Sequence, residues 1–222
     1  MNRRHLLRYS GLAGAAALLS GCFGPDAEWH RKITVVVDTP SGEVRGSSVQ
    51  AESVTADNTP RWLRLPEAGG AGISFQGEAV VVDLGQGRYL FALLKGPDTV
   101  LTLYPHPKDF VEAAKLAPRT KGVKILSSAD YPMLVTFDNI ADPKSVKLVD
   151  PSKFEASFGT GYALKSITLE ITDDKVTEGK VRTIIPWISD FRNKLLDGDT
   201  VMWGGDRHTL ANSLGMGSFD SN

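Results

Sequence analysis

Three histidines, a serine pair and several acidic turns are the residues in this sequence whose types could support catalysis. His106 lies between Pro105 and Pro107, in a rigid turn, and His208 follows Gly204-Gly205-Asp206-Arg207, so an acid and a base adjoin it. Ser127-Ser128, with Asp130 beside it, could pair with a distant His. Such groups would suit a small hydrolase, in which a carboxylate orients an imidazole and the imidazole activates a nucleophile. No motif spacing accompanies them: a G-x-S-x-G elbow, an H-E-x-x-H pair, S-x-x-K and a P-loop are all lacking. Sequence neighbours need not face one another, so His30, His106 and His208 read as structural or solvated. Asp173-Asp174 and Asp197-Gly198-Asp199 have the composition of calcium loops without the ligand spacing, and read as solvated turns. Gly85-Gln86-Gly87 has the composition of a phosphate cradle but joins two apolar runs, as a hairpin turn does. Trp62 and Trp203 fall in loops, where they could stack on a sugar or a partner, although core anchoring is the simpler reading. No catalytic residue, metal site or cofactor follows from these patterns.

Charge and cysteine content narrow the classes further. The formal net charge is -1, but residues 1–21 hold Arg3, Arg4 and Arg8 and no acid, leaving 22 basic against 26 acidic residues beyond them. A mildly acidic body without Lys/Arg runs gives no sequence-level footprint for nucleic acid or anionic lipid. Cys22 is the one cysteine, so the chain closes no internal disulfide and builds no cysteine-cluster metal site.

That cysteine stands in an informative place. A basic start is followed by an uncharged stretch from Tyr9 to Ser20 and then by small residues, the layout of a signal peptide. The stretch has about half the roughly 20 apolar residues that a spanning helix needs. Leu19-Ser20-Gly21-Cys22 resembles the lipobox of bacterial lipoproteins at all four motif positions. The resemblance implies that the Cys22 thiol receives a diacylglyceryl group, that cleavage falls before it, and that acyl chains on Cys22 hold the protein to a membrane. Two or three chains, at about 0.8 kcal/mol per buried methylene, would hold it firmly. The Arg3-Arg4 pair followed by Leu6 and Leu7 is similar to a twin-arginine export motif, with Leu6 where that family often has Phe. Phe23, rather than Asp, follows the cysteine, which in enteric-type lipoproteins points to the outer membrane rather than the inner.

The elements that would position any chemistry are mostly strands. Residues 33–37 are β-branched throughout, Pro40 and Gly42 suit a type I turn, and 43–53 can return as the partner strand. Residues 58–72, rich in Pro and Gly, read as a loop. Residues 79–84 and 88–94 form a second hairpin, so continuously apolar that both faces should be covered. Phe110, Ala113, Ala114 and Ala117 fall on one helical stripe closed by Pro118. Residues 133–137 and 145–149 suit further strands, and Asp150-Pro151 and Gly159 bracket a short helix carrying Phe154 and Phe158. Residues 166–172 alternate as a half-buried strand. Val181, Ile184, Ile185 and Ile188 form a helical stripe that Pro186 should kink or divide. Beyond Asp197 periodicity disappears, which suggests an exposed tail.

The order of elements predicts a single α+β domain on largely antiparallel sheet, with several hairpins and two or three short helices packed on it. The expected division is a signal peptide over 1–21, a tether over 22–31, the domain over 32–196 and a flexible tail over 197–222. The stretch from Trp29 to Val54 and the later one at 167–181 are similar to uncharacterised proteins of Gram-negative bacteria. That likeness spans most of the chain and implies no activity or ligand. The expectation is a non-enzymatic envelope lipoprotein that faces the periplasm and binds or scaffolds another envelope component, with a His/acid hydrolase as the alternative.

Overall fold

Alternation is the rule that organises the first half of the molecule. The computed structural model describes residues 24–56, 71–94, 96, 98–200 and 209–222. Strands β1 (Ala27–Thr39) and β2 (Gly42–Ala56) form a hairpin in unbroken register, from Ala27 opposite Val54 to Thr39 opposite Gly42. Every second residue of β1 is buried, and on that face lie Trp29, Arg31, Ile33, Val35 and Val37. The turn is held by Thr39, whose hydroxyl donates to the Gly42 carbonyl at 2.7 Å, and Gly42 takes a φ of +119° that only glycine adopts without strain.

Strand β3 (Ala71–Gln76) adds to β2 on one side. The other side of the hairpin pairs with a late strand, Ala163–Thr172, which carries the alternation seen in the sequence and shifts register by a bulge at Val36/Val37. Its far edge takes the three-residue strand Val123–Ile125. In chain order the second sheet is β4 (Val80–Asp83), β5 (Tyr89–Ala92), β7 (Leu134–Phe137) and β8 (Val146–Leu148); Val123–Ile125 is then β6 and Ala163–Thr172 is β9. The first sheet runs β3-β2-β1-β9-β6 and the second β4-β5-β7-β8, with every pairing antiparallel. The predicted α+β domain on antiparallel sheet is therefore present, but with its strands divided between two sheets.

Both faces of the second sheet are covered, as the apolar runs predict, although β4 lies at its edge. One face, with Val80, Val82, Leu90 and Leu134, packs on the first sheet. The other, with Val81, Phe91, Val135 and Phe137, packs on helix and loop from the end of the chain. The helices are short: α1 (Thr99–Leu103), α2 (Phe110–Leu116), α3 (Phe154–Phe158), α4 (Lys180–Ile184) and α5 (Met216–Phe219). These five exceed the two or three expected, because one-turn helices carry no sequence periodicity. Helix α2 buries the predicted stripe of Ala113 and Ala114, with Ala117 following in a 3-10 turn. Pro186 ends α4 and opens a separate 3-10 segment, Pro186–Phe191, so the predicted break is two abutting helices. Asp150 does not cap α3; its carboxylate closes on Ser152 in a local turn, and Lys153 takes the cap position.

Two boundaries are corrected. Strand β1 begins at Ala27, inside the expected tether of 22–31, and Arg31 is fully buried. The β-branched run starts at 33 because the earlier inward positions hold Ala27, Trp29 and Arg31. Of the expected tail, residues 209–222 are instead packed, with Ala211, Leu214, Met216 and Phe219 all buried. Their spacing of three, two and three matches neither helix nor strand, so no periodicity could announce them.

The two sheets come close at Gly46, on the inner face of β2. A Cβ there would run into the carbonyl of Val81, whose carbon lies 2.8 Å from the ideal Cβ position. Close approach of backbone, rather than an unusual φ, demands glycine here. Gly46→Ala should lower stability by about 2 kcal/mol by wedging the sheets apart. A urea midpoint within error of the parent protein would refute this.

Candidate functional site

The inner face of the first sheet carries a polar group where apolar side chains are the norm. Arg31 on β1 sits opposite Gln50 on β2, and Trp29 sits opposite Glu52. All four side chains are directed inward, because the register places odd positions of β1 and even positions of β2 on one face. The Arg31 guanidinium donates through Nε to Gln50 Oε1 at 3.0 Å and through Nη1 to Thr99 Oγ1 at 3.0 Å. Nη2 donates to the Leu94 carbonyl at 3.2 Å. Glu52 Oε2 stands 3.3 Å from Nη1 and accepts from the Thr99 hydroxyl at 2.5 Å. Phe75 from β3 lies against the guanidinium, 4.8 Å from ring centre to Cζ.

The electrostatics follow from this enclosure. Burial pushes the Glu52 carboxyl above its ordinary range, while Arg31 and the Thr99 hydroxyl pull it back. Burial likewise lowers Arg31, opposed chiefly by Glu52; the guanidinium stays charged in any protein setting. Glu52 Oε1 and Trp29 Nε1 are both buried without a well-formed hydrogen bond. They come from directly opposed residues, and Trp29 is among the groups that hold the Glu52 carboxyl down.

A second polar node continues the layer. The Glu78 carbonyl accepts from Ser48 Oγ at 2.7 Å and from Gln50 Nε2 at 3.1 Å. Its carboxylate accepts from Lys180 N at 3.2 Å and Val181 N at 2.9 Å, capping the first turn of α4. Glu78 also pairs in a β-bridge with Asp220, whose carboxylate binds Arg182 of α4. Burial raises the Glu78 carboxyl, the two backbone donors hold it down, and Asp220 raises it further. These buried groups thus join β1, β2, α1 and α4.

The sequence-predicted candidates are placed elsewhere. His30 is half-buried and shares a 2.7 Å contact from Nδ1 with the Asp174 carbonyl. Exposed His106, at a φ of +55°, has no hydrogen-bond partner among the described residues. Ser127 Oγ donates to Asp130 Oδ2 at 2.7 Å within a 3-10 turn. Asp197 and Asp199 both accept from the Asn212 amide, at 2.5 and 3.0 Å. Gly85-Gln86-Gly87 is the expected hairpin turn, with all three residues at positive φ. No group of three or more His, Cys, Asp or Glu that could hold a metal occurs among the described residues. Arg3, Arg4, Leu19, Ser20, Gly21, Cys22, Trp62, Trp203 and His208 lie outside the described residues. Sequence reasoning missed the Arg31 cluster. Its signal was a strand phase that continues through an arginine, answered by an acid at the matching phase of the return strand.

Comparison with protein-family models, with curated proteins and with solved structures gives no match for this chain.

Proposed function

We propose that the chain is an envelope lipoprotein, anchored through acyl chains on Cys22, whose exported body binds or scaffolds another envelope component without catalysing a reaction. The observation that carries this reading is Leu19-Ser20-Gly21-Cys22, placed after a basic start and an uncharged stretch, with Cys22 the one thiol of the chain. On this reading the protein faces the periplasm, and Phe23 after the cysteine favours the outer membrane. The early start of β1 supports a body held close: four residues separate Cys22 from Ala27, so at most about 17 Å of extended chain joins them. A binding role is supported by β6, a sheet edge whose Val123 and Ile125 are 60% and 71% exposed. No helix among the described residues is long and apolar enough to cross a membrane.

Cys22→Ser separates this reading from its rivals. The variant should lose labelled-palmitate incorporation and move from the membrane fraction to the soluble periplasm. Membrane association that survives the substitution refutes the anchor. For the body, crosslinking in intact envelopes should yield a discrete partner, and Ile125→Lys should weaken its capture.

A further inference from the structure

Helices α1 and α2 pack beside the start of β1 and expose both apolar and basic side chains. Helices α1 and α2 and the 3-10 turn Ala117–Arg119 bury Val100, Ala113, Ala114 and Ala117 in the core that holds Ala27, Trp29 and Val54. Thr99 at the head of α1 bonds Arg31 and Glu52, and the charge of Asp26 reaches Lys115 on α2. This helical cap therefore lies beside the point where the chain enters the domain, four residues from Cys22. Within it Leu101 and Leu116 are 46% and 47% exposed.

Charge divides in the same way. Residues 98–121 carry four Lys/Arg against three acids, whereas the rest of the body beyond residue 22 carries 18 against 23. Asp98 and Asp109 are turned to the backbone N–H of Leu101 and Glu112 as helix caps, and Glu112 pairs with Lys115. Exposed Lys108, Arg119 and Lys121 have no ion-pair partner among the described residues. The net acidity of the whole body conceals this basic, apolar cap.

We propose that the cap rests on the surface of a bilayer containing anionic phospholipid, with Leu101 and Leu116 in the headgroup region and Lys108, Arg119 and Lys121 on the phosphates. The proposal rests on the lipid-anchored reading, and names the membrane as the surface that covers this face. The anchor confines the body near the bilayer; the cap decides which side turns down, leaving β6 and the second sheet free for partners.

The test uses the lipidated protein in vesicles of phosphatidylcholine, with and without phosphatidylglycerol. Its only natural cysteine carries the lipid, so Leu116→Cys and Leu148→Cys each give a unique thiol for an environment-sensitive fluorophore. The label at 116 should shift to an apolar spectrum, and be quenched by a headgroup-depth quencher, only when phosphatidylglycerol is present. The label at 148, on β8, should stay aqueous throughout. Replacing Lys108, Arg119 and Lys121 by Gln should weaken vesicle affinity about a hundredfold, at roughly fivefold per base. A label at 116 that stays as aqueous as that at 148 overturns the proposal. So does shielding at 116 that appears in whole envelopes but not in vesicles, which would assign the face to a protein. If Cys22 carries no lipid, sedimentation of the same protein with these vesicles decides the cap alone: loss of binding in the triple variant upholds it, and equal binding overturns it.

Discussion

Arg31→Ala should destabilise the protein by about 3–5 kcal/mol, because it strands Glu52 as an unpaired charge in the core. For a domain of ordinary stability, about 5–15 kcal/mol, that is a large fraction of the whole. The loss spreads beyond one ion pair. Gln50 Oε1, Thr99 Oγ1 and the Leu94 carbonyl each lose a donor at the same time. The pair itself need not be a net source of stability, since burying both charges costs much of what their attraction returns. A double-mutant cycle makes the distinction: Arg31→Met with Glu52→Leu should recover most of the deficit, giving a coupling of about 2 kcal/mol or more. A single variant within 1 kcal/mol of the parent would show that the guanidinium is replaceable.

The same variant should acquire a pH dependence. Burial already raises the Glu52 carboxyl above its unfolded value, and Arg31 is the leading influence that opposes it. Without Arg31 the folded pKa rises further. A carboxyl raised on folding contributes stability that is complete below its unfolded pKa and is lost as pH rises through the folded one. The deficit of Arg31→Ala should therefore be smaller at about pH 4 than at about pH 7. Glu78 shifts in the same direction for its own reasons, but it does so in parent and variant alike, so the difference between them isolates Glu52. Equal deficits at the two pH values would mean that Glu52 finds another partner.

What the sequence revealed depends on how far apart the causes lie. The β4–β5 hairpin was legible because Val80, Val81 and Val82 and the turn glycines sit within a dozen residues of one another. Strand β9 was legible because Ile167, Leu169 and Ile171 alternate with polar residues along one segment. The Arg31 cluster was not, since its members come from four stretches of chain brought together only by the β1–β2 register and the return of α1. Nor was the division into two sheets, which depends on contacts between distant segments such as the approach of Gly46 to Val81. Strand β6 has three residues, too few for a period. The motif around Cys22 is local in the extreme, which is why it could be read without any fold at all.

Phe219→Ala should cost about 3–5 kcal/mol, a loss no exposed tail could produce. Phe219 is fully buried, edge-on to Phe91 at 5.7 Å and tilted against Phe137 at 5.9 Å between ring centres. Its backbone is stitched to the second sheet as well: Ala79 N donates to the Phe219 carbonyl at 2.7 Å, and Leu94 N to Ser218 at 3.0 Å. The next residue, Asp220, holds Arg182 on α4, and the amino end of α4 is capped by Glu78. Loosening Phe219 should thus loosen α4 at its amino-terminal cap and at Arg182 in its middle. The damage of Phe219→Ala and Glu78→Gln should accordingly be less than additive, since each releases contacts that the other has already weakened. Urea unfolding of the two single variants and the double variant measures this directly. A Phe219→Ala loss below about 1 kcal/mol would return the segment to the status of a tail, whereas strict additivity would sever it from α4. The expected result makes 209–222 the wall of the second core, and so puts the end of the chain among the segments that keep the second sheet covered on both faces.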